Sequence, residues 1–290
     1  MEHEPVVTAE QIADYERDGA IVIRNVLDSE MLDLLTRGVE EAYALQSEPS
    51  SRLKPKGEGE TVVRDYVSPD SPALTALMSR GVIGRIGAAL MRSPSAHLIL
   101  DQIFYKKGGE IVPTPWHQDT PFLRVRGQAL IRLWFPCDFS PKDLTVQVVR
   151  GSHRWNVVYG TGVTVEGGMA AGKGDRPLIG DAQAPPPPDV RSHRDSFDIM
   201  SWDVAPGDVL AFQGNMLHGT EGRTTPAGPR RAFAVLMGGP DLAFHQPTGV
   251  AFPSPGRKRG LRVRDDIPEG APIGNYEDAF PNCSRETLLA

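Results

Sequence analysis

His117-Gln118-Asp119 and His218 are the residues of this chain whose types and spacing best suit a shared metal ion. On an extended segment, positions i and i+2 project to one side, so the His117 imidazole and the Asp119 carboxylate can converge on a single ion. An H-x-D tripeptide alone is a weak signal, because seven histidines give it ample chance to arise. The second signal is His218, in Asn215-Met216-Leu217-His218-Gly219-Thr220, just after an apolar run. Two histidines and one carboxylate on different strands of a small barrel make the facial triad of non-haem Fe(II) sites. Three protein ligands on one face leave three cis positions open: a keto acid could chelate through two of them and dioxygen take the third. The oxygen ligand from Asp119 suits iron, whereas a Cys-rich site would favour zinc.

A cationic element follows. Arg230-Arg231 begins a strand twelve residues after His218. A guanidinium is a planar fork that matches a carboxylate bidentately. Deep in a barrel it would hold the far carboxylate of 2-oxoglutarate while the keto-acid end meets the iron; the alternative is a pair of solvated charges at a strand start. Arg124, Arg126 and Arg132 flank the metal turn and read as surface charge, although one facing the cavity would imply an anionic substrate. His97, His153, His193 and His245 read as hydrogen-bonded surface or core groups rather than ligands, with His153 fixing its Gly-Ser turn. Trp116 reads as a packing wall and Cys137 as inert core.

These residues need a scaffold of strands. Ala96–Tyr105, Ala129–Phe135, Leu144–Val149, Phe197–Trp202, Val209–Gln213 and Arg231–Met237 read as strands, separated by turn clusters such as Ala205-Pro206-Gly207-Asp208. Ahead of them, Thr8-x-x-Gln11 is a capping box opening a helix that Gly19 ends, and Ala20–Ile23 is a short buried strand. Asp28 or Ser29 caps a longer helix carrying Leu32, Leu35, Val39 and Tyr43. Glu48–Glu60 reads as a mobile connection, and Leu74–Met91 as one helix weakened by Gly81 and Gly84. Strands without interleaved helices predict a mainly β jelly roll with flanking helices. The expected layout is a single domain over 1–290: a helical part to about residue 94, a core over 95–240 and an extension over 241–290. A Gly- and Pro-rich stretch at about 156–195 is either a surface insertion or a lid over the site.

Composition narrows the class. Among 290 residues, 40% are hydrophobic and 23% charged, which is globular chemistry rather than a disordered chain. Gly 30 and Pro 26 are too many for a helix bundle. A net charge of −6 argues against a sequence-independent nucleic-acid binder. No apolar run approaches the roughly 20 residues of a membrane span, and the acidic start MEHEPVVTAE is unlike a secretory signal. Cys137 and Cys283, far apart, fit a reduced cytoplasmic compartment without a structural disulfide.

The assembled pattern resembles the phytanoyl-CoA dioxygenase family of Fe(II)/2-oxoglutarate-dependent oxygenases. The likeness runs from Thr8-Ala9-Glu10-Gln11 and Tyr15–Ile23, through Pro115-Trp116-His117-Gln118-Asp119 and Val148–Trp155, to Pro206–Phe212, His218-Gly219-Thr220 and Arg230-Arg231-Ala232. It implies a double-stranded β-helix with iron on His117, Asp119 and His218, and 2-oxoglutarate against Arg230. Thr220 would lie near its carboxylate, Trp134 would wall the pocket, and Gln102 and Gln118 would be polar neighbours. The family usually has proline at Arg150 and a glycine near Asp143-Leu144, and its commonest spacing is one residue short of Arg230, with Arg231 as the fallback. In related halogenases a small residue replaces the carboxylate, so an intact Asp119 points to oxygen insertion.

The expectation is therefore an enzyme using Fe(II), 2-oxoglutarate and O2 to hydroxylate a C–H bond of a small molecule such as a natural product or other secondary metabolite. It would release succinate and CO2 and act as a monomer or homodimer, with neither nucleic acid nor membrane as partner. Desaturation, rearrangement or epimerisation by the same chemistry is the rival within the class. Outside it stand a non-catalytic jelly-roll binding module, which would not need all four residues, and a zinc hydrolase, for which no evident general base lies near the metal turn.

Overall fold

Capping and burial set the helices first. In the computed structural model, which describes residues 6–47, 49, 51–53, 59–110, 113–160, 181, 183–221, 224–225, 228–246, 248 and 266–286, Thr8 and Gln11 form the capping box of α1 (Ala9–Asp18). Asp28 caps α2 (Ser29–Tyr43), whose Leu35, Val39 and Ala42 are fully buried. Ser71 caps α3 (Pro72–Ser79), and α4 (Val82–Leu90) follows after a 53° bend. The single helix expected over Leu74–Met91 is therefore two. Gly81, at φ 70°, takes the left-handed conformation that a right-handed helix cannot continue through. No single described helix is long and apolar enough to cross a membrane.

In chain order the strands are β1 (Ala20–Ile23), β2 (Ser51–Leu53), β3 (Glu60–Asp65), β4 (His97–Lys107), β5 (Gly109–Glu110), β6 (Val125–Arg126) and β7 (Leu130–Pro136). They continue as β8 (Gln147–Val149), β9 (Ile199–Met200), β10 (Val209–Gln213), β11 (His218–Gly219), β12 (Thr224–Thr225), β13 (Arg230–Gly238) and β14 (Ala243–Phe244). Seven form one antiparallel sheet in the order β1-β10-β7-β13-β4-β3-β2, and β11-β8-β9 form a smaller sheet facing it. This is the expected jelly roll. The connection expected over Glu48–Glu60 instead contains β2, which pairs with β3 at the sheet edge. The strand expected from Leu144 starts only at Gln147, because the Pro141 carbonyl accepts from Leu144 N–H and Thr145 N–H in a turn. Only Ile199–Met200 of the Phe197–Trp202 segment pairs, since a 3-10 turn at Arg194–Ser196 takes up the Phe197 N–H.

Alternation along each strand divides the large sheet into two faces. Ile131, Leu133 and Phe135 of β7, with Phe233, Val235 and Met237 of β13, pack against the helices. On the opposite face Phe212 and Leu210 of β10 meet Val148 and Met200 of the small sheet, with Trp134 partly buried among them. Arg132 and Trp134 of β7 share this inner face, opposite Leu236 and Ala234 of β13 in register. The site lies on the inner face, which carries Arg132, Gln102 and Arg230.

The extension returns to brace the helical side: Leu98 N–H donates to the Pro281 carbonyl and Cys283 N–H to that of Ala96. Its seat requires Gly84, where a Cβ would fall 2.0 Å from the Cys283 carbonyl oxygen. Gly84→Val should therefore lower the denaturant midpoint by the equivalent of about 1–3 kcal/mol, read by equilibrium unfolding; an unchanged midpoint would show that the extension adds no stability there.

Candidate metal centre

The two histidines, 101 positions apart in the chain, are joined through their own backbones. His117 N–H donates to the His218 carbonyl and His218 N–H to that of His117, both at 2.9 Å. Asp119 N–H donates to the Gly214 carbonyl, fixing the turn on the same two-residue period. The ligand atoms that His117, Asp119 and His218 offer all lie within 4.8 Å of one another. Asp119 Oδ1 stands 4.0 Å from His117 Nε2 and 3.8 Å from His218 Nε2. The Phe212 ring packs on the His218 imidazole at 4.7 Å between centroids.

Backbone groups also select the tautomers. His117 Nδ1 lies 2.7 Å from the Pro115 carbonyl and His218 Nδ1 3.0 Å from that of Met216. A carbonyl oxygen can only accept, so each Nδ1 carries the proton and each Nε2 presents a lone pair. Burial, reinforced by the neighbouring His117, pushes the His218 imidazole down to about 3. Burial likewise lowers His117 against the opposing pull of Asp119. For Asp119 burial acts upward, but Arg132, His218 and His117 outweigh it and hold the carboxyl below its usual range. Two neutral imidazoles and one carboxylate are the donor set of a possible iron site.

Arg132, expected as surface charge, is buried and forks onto Asp119: Nε donates to Oδ2 at 2.7 Å and Nη2 to Oδ1 at 3.1 Å. Its Nη1 donates to Gln102 Oε1, and Gln102 Nε2 in turn donates to Asp65 Oδ1. Gln102 thus sits on the inner face, with its amide joining Arg132 to Asp65. Gln118 does not join the ligand atoms. Its Nε2 donates to the carbonyls of Val157 and Asn215 and its Oε1 accepts from Tyr159 N–H, so it braces two loops instead. The reason is alternation: it stands between two residues that face the other way.

Further along the inner face, Ala232 and Ala234 of β13 form a floor of short side chains, flanked in register by Phe104 and Gln102 of β4 and by Trp134 of β7. Arg230 and Lys106 face each other at one end of this floor. Arg230 Nη2 donates to Ser140 Oγ and the Leu144 carbonyl, while its buried Nη1 finds no hydrogen-bond partner among the described residues. Arg231 points to the opposite face, where Asp138 and Glu40 pair with it. Burial and the charge of Arg230 push the Lys106 ammonium down to about 8. Sequence reading missed Lys106, although it stands four residues from Gln102 on one strand and so shares its face. Thr220, two residues beyond His218, has its Oγ1 accepting from Thr114 N–H. Trp116 packs with Val149, Val190 and Leu217 as a wall.

Of the expected lid at 156–195, residues 161–180 and 182 lie outside the described residues. Its described ends are tied down: Gly160 N–H donates to the Pro185 carbonyl, and Arg126 and His245 hold Asp181. His153, expected to fix its own turn, reaches instead toward the Glu16 carbonyl, and Ser152 Oγ secures the turn through the Val149 carbonyl.

A jelly roll with a His-x-Asp and a distant histidine at one inner locus defines a non-haem metalloenzyme scaffold. The family profile described as Phytanoyl-CoA dioxygenase (PhyH) matches residues 15–232, and the chain belongs to this family. The ectoine dioxygenase of Sphingopyxis alaskensis is 23% identical over 277 residues, spanning 89% of this chain and 86% of that protein. The non-haem alpha ketoglutarate dependent epimerase SnoN from nogalamycin biosynthesis superposes with a TM-score of 0.66 at 20% identity, covering 94% of this chain and 96% of that one. SnoN has also been solved with Fe3+, alpha ketoglutarate and nogalamycin RO. The carbocyclase SnoK from the same biosynthesis superposes at 0.65 with 18% identity, covering 95% and 96%.

The lowered histidines fix a pH dependence. Unfolded, both would protonate near 6.5, whereas in the fold they stay neutral to lower pH. The unfolded chain therefore binds more protons below about 6.5, and stability falls as pH drops through that window. The metal-free protein should lose denaturant resistance from pH 7 to pH 5, and His218→Gln should flatten that slope; equal slopes for both proteins would contradict the neutral assignment.

Proposed function

We propose that this protein is an iron(II)- and 2-oxoglutarate-dependent dioxygenase that hydroxylates a C–H bond of a small molecule, a natural product or other secondary metabolite. The observation that carries this reading is the pairing of the His117–Asp119–His218 locus with the buried, unpartnered Nη1 of Arg230 on the same inner face. A buried cation with a free N–H invites an anionic partner, and a diacid is the cosubstrate whose far end would supply it. When bound, Fe(II) with 2-oxoglutarate reduces dioxygen, placing one oxygen atom in the product and the other in succinate as CO2 leaves.

The chain's own groups do the rest. The Pro115 and Met216 carbonyls keep both Nε2 lone pairs available, so no proton has to leave the histidines for metal to bind. Arg230, with Lys106 opposite it in register, anchors the distal carboxylate, and Thr220 is assigned a place near it by the family resemblance alone. Ala232 and Ala234 leave room for the cosubstrate, while Trp134 and Phe104 present apolar walls that exclude water. Gln102 acts through Arg132. Epimerisation or cyclisation by the same centre is a second reading, favoured by the resemblance in fold to SnoN and SnoK.

Anaerobic Fe(II) with 2-oxoglutarate should produce a weak visible charge-transfer band in the wild-type protein and none in Asp119→Ala. A folded, iron-loaded wild type without the band would refute the reading. Arg230→Ala should raise the 2-oxoglutarate KM roughly ten- to hundredfold, corresponding to about 1.5–3 kcal/mol for a charge-assisted hydrogen bond. Arg231→Ala should change it less than about threefold, as expected for a partly exposed ion pair. Succinate release across a metabolite panel measures both, and the reverse order would move the anchor to Arg231.

A further inference from the structure

Arg132 has a role that the ion pair alone does not account for. Its side chain is only 8% exposed and sits mid-strand on β7, between Phe212 of β10 and Leu236 of β13 in register. An apolar residue would suit that row, and a buried charge is disfavoured unless fully partnered. Arg132 is so partnered, with all three guanidinium nitrogens committed: Nε to Asp119 Oδ2, Nη2 to Asp119 Oδ1 and Nη1 to Gln102 Oε1. Gln102 is itself held by Asp65, its cross-strand partner on β3. The fork on β7 is therefore braced across β13 by Gln102 of β4 and Asp65 of β3 and cannot swivel freely about Asp119.

The shorter of the two contacts to Asp119 engages Oδ2, and the oxygen nearer the two imidazole Nε2 atoms is Oδ1. A carboxylate free to chelate with both oxygens would cover two coordination positions rather than one. Only two would then remain for a keto acid and dioxygen, which need three. We propose that Arg132 is a positioning residue that occupies Asp119 Oδ2 and so restricts Asp119 to one oxygen, Oδ1, on the metal. The role rests on the iron and 2-oxoglutarate reading above. It concerns geometry rather than charge, because neutralising Asp119 would need only a cation, whereas steering one oxygen needs a planar fork braced from behind.

Arg132→Lys separates the two, since an ammonium keeps the charge without the fork. Fe(II) affinity should stay within about threefold of wild type, by anaerobic titration. The affinity for 2-oxoglutarate, followed through the charge-transfer band, should fall at least tenfold, with the band shifted or weakened. Arg132→Met should show the same change, with lower thermal stability of the metal-free protein from the unpaired Asp119. If folded Arg132→Lys matches wild type in both band and affinity, Arg132 serves only as a counter-charge and the proposal is overturned. Infrared difference spectra of the wild type on metal loading are independent of how the variants fold. They should show the wide carboxylate splitting of monodentate binding, and a narrow bidentate splitting would overturn the proposal. A wild type that binds neither iron nor 2-oxoglutarate would remove the functional reading itself, and this role with it.

Discussion

Two reciprocal backbone hydrogen bonds between His117 and His218 hold the site together. They bring side chains from segments far apart in the chain into one locus without using those side chains to do it. That separation of duties matters physically. Each imidazole keeps its Nδ1–H on a carbonyl two residues back and leaves its Nε2 free, so the ligand set is preorganised before any ion arrives. Burying two neutral rings and one carboxylate would be unfavourable if they were also mobile; the bridge, the Gly214 carbonyl on Asp119 N–H and the Phe212 ring on His218 remove that freedom.

The sheet around the locus sorts charge by strand parity. Arg230 and Arg231 are adjacent in the chain but lie on opposite faces of β13: one has an unsatisfied nitrogen on the inner face, the other is neutralised by Asp138 and Glu40 on the helical side. Lys106, Gln102 and Arg132 follow the same rule and line the inside with polar groups, while Ile103, Ile131 and Leu133 beside them feed the helix-packed core. Short side chains at Ala232 and Ala234 keep the middle of the floor open between them. The fold thus builds a cationic end and an apolar flank from alternating positions of three neighbouring strands, while the metal ligands come from the turn at His117–Asp119 and from β11.

Membership of the phytanoyl-CoA dioxygenase family sets the scaffold, and relatives as different as a dioxygenase, an epimerase and a carbocyclase share it. Reaction outcome on such a scaffold depends on where the substrate's reacting bond lies relative to the metal, which is governed by loops more than by the sheet. In this chain the described loop ends are anchored by residues outside the ligand set: Gln118 braces Val157 and Tyr159, and Arg126 with His245 holds Asp181.

Much of this was legible in the residue order. The metal-ligand candidates could be named because i, i+2 spacing is a local property of extended chain, and the helix caps at Thr8 and Asp28 depend only on neighbours within one turn. The jelly roll followed from strand runs uninterrupted by helices. Gln118, expected beside the cosubstrate, has a parity opposite to His117 and Asp119 and braces loops instead; Arg132, expected as surface charge, and Lys106, which was overlooked, share a face with Trp134 and Gln102. What one dimension could not supply was which face of each strand is inside, since alternation defines two faces without labelling them. Choosing between Arg230 and Arg231 required Ser140, Asp138 and Glu40, and bracing Arg132 on Asp119 required Gln102 and Asp65, partners distant in the chain whose packing and hydrogen bonds exist only once the sheet has closed.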